Sequence, residues 1–383
     1  MERLRGVQLL VLAGVAAGCL LWGASARAQG ALEINVLDDR TGDPLAYAVV
    51  SIPTASIERF TDARGRLTIP VLRAGSYAVD VRRLGFLPHR GTVTVVDDDR
   101  AGFTVRMQRI AQRLAGMQVS AERACLTPGT PDPTRDPLLA ALVSLLKENA
   151  DRFRLLSSQY PFIYTQQRAL GDVRDSVAFV AFSDRLPLQS DVRRAYKEGD
   201  VVRRVGGQYT MSLPTLLDLA DQRFARSHCF VFAGVLREQT PQGLETWARI
   251  EVRASDSLKA PDMHGVFYLD SATAELRRME VELSRPDLLP KQLSTIASVR
   301  VSTEFANIAN GLSIIRRVCA LTRYKPSDKP ADAATQSLVP FELQQTSGFV
   351  FTTPPPDVAS TVDFALAPWL SQTYLPRDAV WCA

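Results

Sequence analysis

Gly75-Ser76-Tyr77-Ala78-Val79-Asp80-Val81, followed by Leu84-Gly85-Phe86, decides how the first part of this chain folds. Its alternation puts one row of side chains toward a core and the other toward solvent, as a half-buried strand requires. The flanks repeat the pattern. Upstream, Leu32-Glu33-Ile34-Asn35-Val36 alternates and Ala48-Val49-Val50-Ser51-Ile52 is a second short run. Thr61-Asp62-Ala63-Arg64-Gly65 then turns tightly into Leu67-Thr68-Ile69. Downstream lie Thr92-Val93-Thr94-Val95-Val96 and Phe103-Thr104-Val105-Arg106-Met107. Thr41-Gly42-Asp43-Pro44 is turn chemistry, with Gly free to take positive φ and Pro fixing the exit of the chain. About seven short strands in about eighty residues predict an antiparallel β-sandwich.

Toward the N-terminus the chain reads as an export signal. Arg3 and Arg5 precede an apolar run from Val7 to Ala24, and Ser25-Ala26-Arg27-Ala28-Gln29 follows. Small residues at Ala26 and Ala28 suit a signal peptidase, so cleavage is expected between Ala28 and Gln29. Ala16-Ala17-Gly18-Cys19 offers an alternative, a lipoprotein box in which Cys19 is lipidated and tethers the chain. Removing the signal lowers the net charge from +4 to about +2, which gives no long-range pull toward nucleic acid or an anionic membrane. No second apolar span follows, so no transmembrane helix is expected in the mature chain. The expected location is the periplasm or the outer-membrane periphery.

Cysteine usage fits that compartment. Without Cys19, four remain: Cys125, Cys229, Cys319 and Cys382. An even number in an oxidising compartment reads as two disulfides, with three connectivities open. Cys125 with Cys382 would tie down the C-terminal tail, and Cys229 with Cys319 would cross a sheet. No C-x-x-C occurs, so neither a redox pair nor a zinc knuckle is indicated.

Beyond a Pro- and Asp-rich stretch from Thr127 to Pro137, Leu138 to Leu156 reads as an amphipathic helix. Leu138, Leu139, Leu142, Leu145 and Leu146 form its apolar stripe, and Lys147, Glu148, Asp151 and Arg152 lie on the other side. Strands are predicted at Phe162–Gln167, Ser176–Phe182, Cys229–Leu236, Thr246–Val252, Gly265–Leu269, Leu276–Leu283, Ser298–Phe305 and Leu312–Thr322. Gly265 to Asp270 and Glu275 to Val281 read as one hairpin, and Leu213 to Leu219 as a short helix. The fold class is mainly β with some α. A sandwich (30–111), a linker (112–137) and an α+β domain (138–383) with a large, curved, mostly antiparallel sheet follow the signal. The strands are too few, and too interrupted by helices, for an outer-membrane barrel.

Asp38, Thr41-Gly42, Pro44-Leu45, Ala48, Val50, Thr61-Asp62-x-x-Gly65, Gly75-x-Tyr77 and Leu84-Gly85-Phe86, taken in order, resemble the carboxypeptidase regulatory-like domain. That resemblance implies a transthyretin-like fold among the carbohydrate-binding-like sandwiches. It also implies a non-catalytic module that sits beside a peptidase or ahead of an outer-membrane receptor. Leu114 to Val119 is similar to the segment that follows such domains in TonB-dependent receptors. The Asp270 hairpin is similar to one in periplasmic lipoprotein-carrier-like half-barrels.

Catalytic signatures are missing from the sequence. A metallocarboxypeptidase opens its zinc site with H-x-x-E, yet His89, His228 and His264 are followed three residues on by Thr92, Val231 and Phe267. No G-x-S-x-G, H-E-x-x-H or G-x-x-x-x-G-K-[ST] occurs. Asp97-Asp98-Asp99 and the Asp38, Asp39, Asp43 group read as solvated turns, because neither has the spacing of a calcium loop. His228 and Cys229 are adjacent in a strand, so their side chains point to opposite faces and cannot converge. Trp247, Trp369 and Trp381 suit packing better than sugar stacking. The expectation is a non-enzymatic envelope protein, without cofactor or metal, that binds another protein or a glycan. Two alternatives have structural signatures: a lipid carrier needs an apolar cavity under the sheet, and a hydrolase needs acidic residues converging in a cleft.

Overall fold

The computed structural model describes residues 30–97, 99–110, 125–174, 177–190, 196–212, 215–240, 243–326, 338–365, 372–376, 380 and 382. Cys19, Ala28, Gln29, Leu114 to Val119, Trp369 and Trp381 lie outside the described residues.

Seven strands build the first unit: β1 (Gly30–Asp38), β2 (Val49–Ile52), β3 (Ile57–Phe60), β4 (Arg66–Leu72), β5 (Gly75–Arg82), β6 (His89–Val95) and β7 (Arg100–Met107). They pair as two sheets, β4-β1-β7 and β3-β2-β5-β6. The pairings are antiparallel apart from β1 with β7, which runs parallel. Alternation does the sorting. Leu32, Ile34 and Val36 face inward from one sheet and meet Val50, Ile52, Val79 and Val81 from the other. Each such side chain contributes about 1.5–3 kcal/mol by leaving water. Gly65 is required at its turn: its φ is +71°, and a Cβ there would lie 2.6 Å from the Val36 carbonyl oxygen.

Helix α1 (Pro137–Gln159) begins where Asp136 accepts a hydrogen bond from Leu139 N at 2.9 Å, with Pro137 in the first turn. Leu142, Val143 and Leu146 pack on the large sheet as expected. Leu155 and Leu156, farther along, pack with Tyr47, Val49 and Phe60 of the sandwich. One helix therefore belongs to two cores. Glu148 and Arg152, read from sequence as the polar side, are buried at this junction instead, because the sandwich covers that side of α1.

The remaining strands are β8 (Phe162–Arg174), β9 (Val177–Gln189), β10 (Val202–Val205), β11 (Gln208–Met211), β12 (His228–Thr240), β13 (Gly243–Ala254), β14 (Met263–Asp270), β15 (Leu276–Leu283), β16 (Ile296–Ala309), β17 (Leu312–Tyr324), β18 (Val339–Phe351), β19 (Thr361–Val362) and β20 (Tyr374–Pro376). β10 and β11 form a separate hairpin. The others form one 11-stranded sheet in the order β12-β13-β14-β15-β16-β17-β18-β8-β9-β20, with β19 on β18. The predicted hairpin is β14–β15, where Asp270 Oδ1 accepts from Ala272 N and Thr273 N at 2.7 and 2.9 Å. The segment read as a helix from Leu213 is a 3-10 turn over Leu216–Ala220, followed by the short α2 (Gln222–Ser227).

The disulfides differ from the pairing considered in the sequence. Cys125 bridges Cys229, and Cys319 bridges Cys382. Cys229 lies on β12 and Cys319 on β17, so four strands stand between them. At about 4.8 Å per strand spacing that is about 24 Å, far beyond the reach of one bridge. The tail is tied down after all, but to β17.

Candidate functional site

Register converts the large sheet into transverse rows. One row on its helix-bearing face runs Phe267, Met279, Thr303, Val318, Gln344, Arg168, Asp184 from β14 across to β9. The next runs Gly265, Val281, Val301, Ala320, Glu342, Leu170, Phe182 over the same strands. Each row starts apolar and becomes polar or mixed at β18. α1, α2 and the Leu216–Ala220 turn cover the β12–β15 end, where Leu142, Leu146 and Phe224 join Ile250 and Phe267 in one core.

Between β15 and β8 the same face carries a groove. Two adjoining hollows of about 570 and about 210 Å³ share Thr215, Leu216, Ile315, Val318 and Gln344. Met279, Val281, Val299, Val301 and Ile315 supply an apolar floor, with Tyr209 and Met211 of the β10–β11 hairpin at one margin. At β18 and β8 the floor turns polar. Gln166 Nε2 donates to Gln344 Oε1 at 2.9 Å, and Gln344 Nε2 donates to Glu342 Oε1 at 2.8 Å. Beyond them Arg168 holds Asp184 through two nitrogens, at 3.2 and 2.7 Å, and its guanidinium lies 5.8 Å from the Phe182 ring centre. A volume of this size is within the usual range for small-molecule sites.

Two other clusters bear on function. Ser227, His228, Asp262 and Tyr196 sit together under α2 and superficially match a hydrolytic set. His228 and Asp262 are 0% exposed. The His228 ring stacks on Phe224 with centres 4.0 Å apart, and its Nδ1 lies 2.9 Å from Phe224 O. Ser227 Oγ donates to the Arg223 carbonyl at 2.9 Å, and the Tyr196 hydroxyl donates to Asp262 at 2.5 Å. Burial first, and then the Asp262 charge, push the Tyr196 hydroxyl far above its ordinary value. A substrate has no access to these atoms, so the cluster is a polar network sealed inside a core, with His228 Nε2 3.5 Å from Asp262 Oδ1 and without a hydrogen-bond partner among the described residues.

The second cluster joins the sandwich to α1 and the sheet. Arg82 Nη1 donates to Glu148 at 2.7 Å, and Arg83 Nη2 donates to Asn310 Oδ1 at 2.7 Å. Arg152 Nη2 donates to Tyr47 O and Gly311 O, each at 2.7 Å. Desolvation, reinforced by the neighbouring Arg83, pushes the Arg152 guanidinium down to about 9. Desolvation also raises the Glu148 carboxyl, against the pull of Arg82 and Arg152. Sequence reasoning missed this seam, since only the Arg82-Arg83 pair before Leu84 hinted at it.

Other expected residues fall where turns and packing put them. Asp38 is buried, accepting from Arg40 N at 2.9 Å and Arg109 Nε at 2.8 Å, while Asp39 and Asp43 are exposed beside it. Asp99 Oδ1 accepts from Arg100 N at 2.7 Å. Trp247 is buried, donates to Glu245 at 2.8 Å and lies under Arg278. His228 faces the core and Cys229 its disulfide, as the strand geometry required. Among the described residues no group of three His, Cys, Asp or Glu side chains is placed to hold a metal ion.

The two-sheet order, the parallel β1–β7 seam and the inward rows of the first unit frame a comparison with known families. Residues 31–108 match the carboxypeptidase regulatory-like domain. The regulatory-like domain thus accounts for the sandwich, and the groove lies outside it. Three solved structures illustrate the likenesses. The 5-hydroxyisourate hydrolase of Klebsiella pneumoniae is 23% identical, over 21% of this chain and 86% of that one, with a TM-score of 0.17. A putative carbohydrate binding protein from Bacteroides uniformis is 9% identical, over 67% and 96%, with a TM-score of 0.20. A LolA superfamily protein from Nitrosomonas europaea is 9% identical, over 56% and 94%, with a TM-score of 0.23. Comparison with curated proteins finds no match. No helix among the described residues is long and apolar enough to cross a membrane.

Proposed function

We propose that this chain is an exported, non-catalytic cell-envelope protein that binds an amphipathic ligand, with the apolar part lying in the sheet groove. One observation carries the reading: beside the helices, half-buried Val301 and Ile315 line a groove whose deeper wall is the buried Met279, Val281 and Val299. Apolar surface held open in a concave site gains free energy when an apolar chain covers it, by about 25 cal/mol per Å². Export is supported by the two disulfides, which persist in oxidising compartments, and by the signal-like N-terminus. The non-catalytic reading is supported by the groove holding a single carboxylate among the described residues and by the sealed state of the Ser227, His228 and Asp262 set. In this reading the regulatory-like domain is a scaffold docked on α1. A protein or glycan ligand on the sandwich is the second reading, and it rests on the family match.

Titration with an environment-sensitive apolar fluorophore such as N-phenyl-1-naphthylamine tests the groove. Val301→Trp and Ile315→Trp fill it and are expected to weaken binding at least about tenfold, a loss of about 1.4 kcal/mol. Val71→Trp, on an exposed edge of the sandwich, serves as the control. Circular dichroism confirms that each variant is folded. Equal affinity in folded groove variants and in the control would overturn the assignment.

A further inference from the structure

The groove has a chemical polarity beyond its oiliness. Among the described side chains lining its two hollows, Glu342 is the one that carries a charge. Among the described residues no Lys, Arg or His lines either hollow. Glu342 Oε1 accepts from Gln344, while its second oxygen has no hydrogen-bond partner and the carboxylate no ion pair among the described residues. Arg168 stands one row away, near enough for its charge to attract the Glu342 carboxylate, but its Nε and Nη2 are committed to Asp184. The row order places this carboxylate among apolar neighbours, between Ala320 on β17 and Leu170 on β8.

We propose that Glu342 selects the head group of the bound amphiphile, admitting a head that donates hydrogen bonds and carries no negative charge. The inference rests on the groove reading above and names the ligand class within it. A half-buried carboxylate with an open oxygen needs a donor once a ligand displaces water from the groove. An ammonium or a hydroxyl-rich head supplies one, and a charged donor makes the stronger bond. A phosphate, sulfate or carboxylate head brings a like charge up to this carboxylate, and Arg168, the nearby described cation, is already held by Asp184. The Gln166–Gln344 relay fixes the orientation of the carboxylate, because each amide is already engaged with its neighbour.

Three amphiphiles with the same twelve-carbon chain test this: dodecylammonium, dodecyl maltoside and dodecyl sulfate, each below its micelle-forming concentration, displacing the apolar fluorophore. In the wild-type protein dodecylammonium is expected to bind at least about tenfold more tightly than dodecyl sulfate, with the maltoside between them. Glu342→Gln keeps an acceptor for the Gln344 amide but removes the charge, and is expected to narrow the gap to under about threefold. Dodecyl sulfate binding the wild type as tightly as dodecylammonium would overturn the proposal, as would an undiminished gap in Glu342→Gln. Equal displacement by all three heads removes the role of Glu342 and leaves the groove reading standing. Displacement by none of them removes both.

Discussion

Arg152 shows how much one side chain can join. It is fully buried, bonds carbonyls from the sandwich and from the β16–β17 turn, and lies 5.2 Å from the Phe60 ring centre. Breaking a buried pair of this sort costs about 3–5 kcal/mol, because the group left behind keeps its desolvation penalty. Its neighbour Glu148 gives a pH signature. Burial raises this carboxyl above its ordinary 4.5, so across that interval the folded state holds a proton that the unfolded state has released. The stabilisation is complete below 4.5 and is lost as pH rises through the raised value. Urea unfolding of wild type and Glu148→Gln from pH 4 to pH 8 should therefore show the stability difference, wild type minus variant, falling as pH rises. A difference that grows with pH would contradict the assigned direction. Neither residue was legible in the sequence. Periodicity separates polar from apolar positions, but it cannot say that a second domain will cover the polar side of α1.

Elements were read best where the pattern is local. The predicted Leu276–Leu283 strand is β15 with the same limits, and the Asp270 hairpin needed only a short turn and two alternating flanks. β18 was missed. Pro340 near its start and the polar run Gln344-Gln345-Thr346-Ser347 hide the alternation, although this strand joins β17 to β8 across the middle of the sheet. The cysteines failed for a related reason: pairing is set by sheet order, which spacing along the chain does not encode. The observed Cys319–Cys382 bridge holds the tail against a small core that contains Leu321, Leu343, Leu375 and Val380. Replacing both cysteines by Ser is expected to cost about 2–4 kcal/mol. Amide exchange at Leu375, which pairs with Ala178 of β9, should rise with that loss. Unchanged exchange at Leu375 would show that the tail is held without the bridge.

At the scale of the whole molecule, the sandwich and the sheet are one assembly through α1, and the proposed ligand groove lies on the part that the family match does not reach. The sandwich was readable end to end because its strands are short, alternating and separated by Gly and Pro turns. The groove was not, since it exists only once the five strands from β15 to β8 lie in register and the helices stop short of covering them. Its individual members, such as Val299, Val301 and Val318, look in sequence like any other inward row. The most direct test is photo-crosslinking with a long-chain alcohol bearing a mid-chain diazirine, followed by peptide mapping. Labels are expected on peptides carrying Met279, Val281, Val301, Ile315 and Val318, and excess unlabelled alcohol should remove them. Labels confined to residues 30–107, or labels that competitor does not displace, would contradict the account.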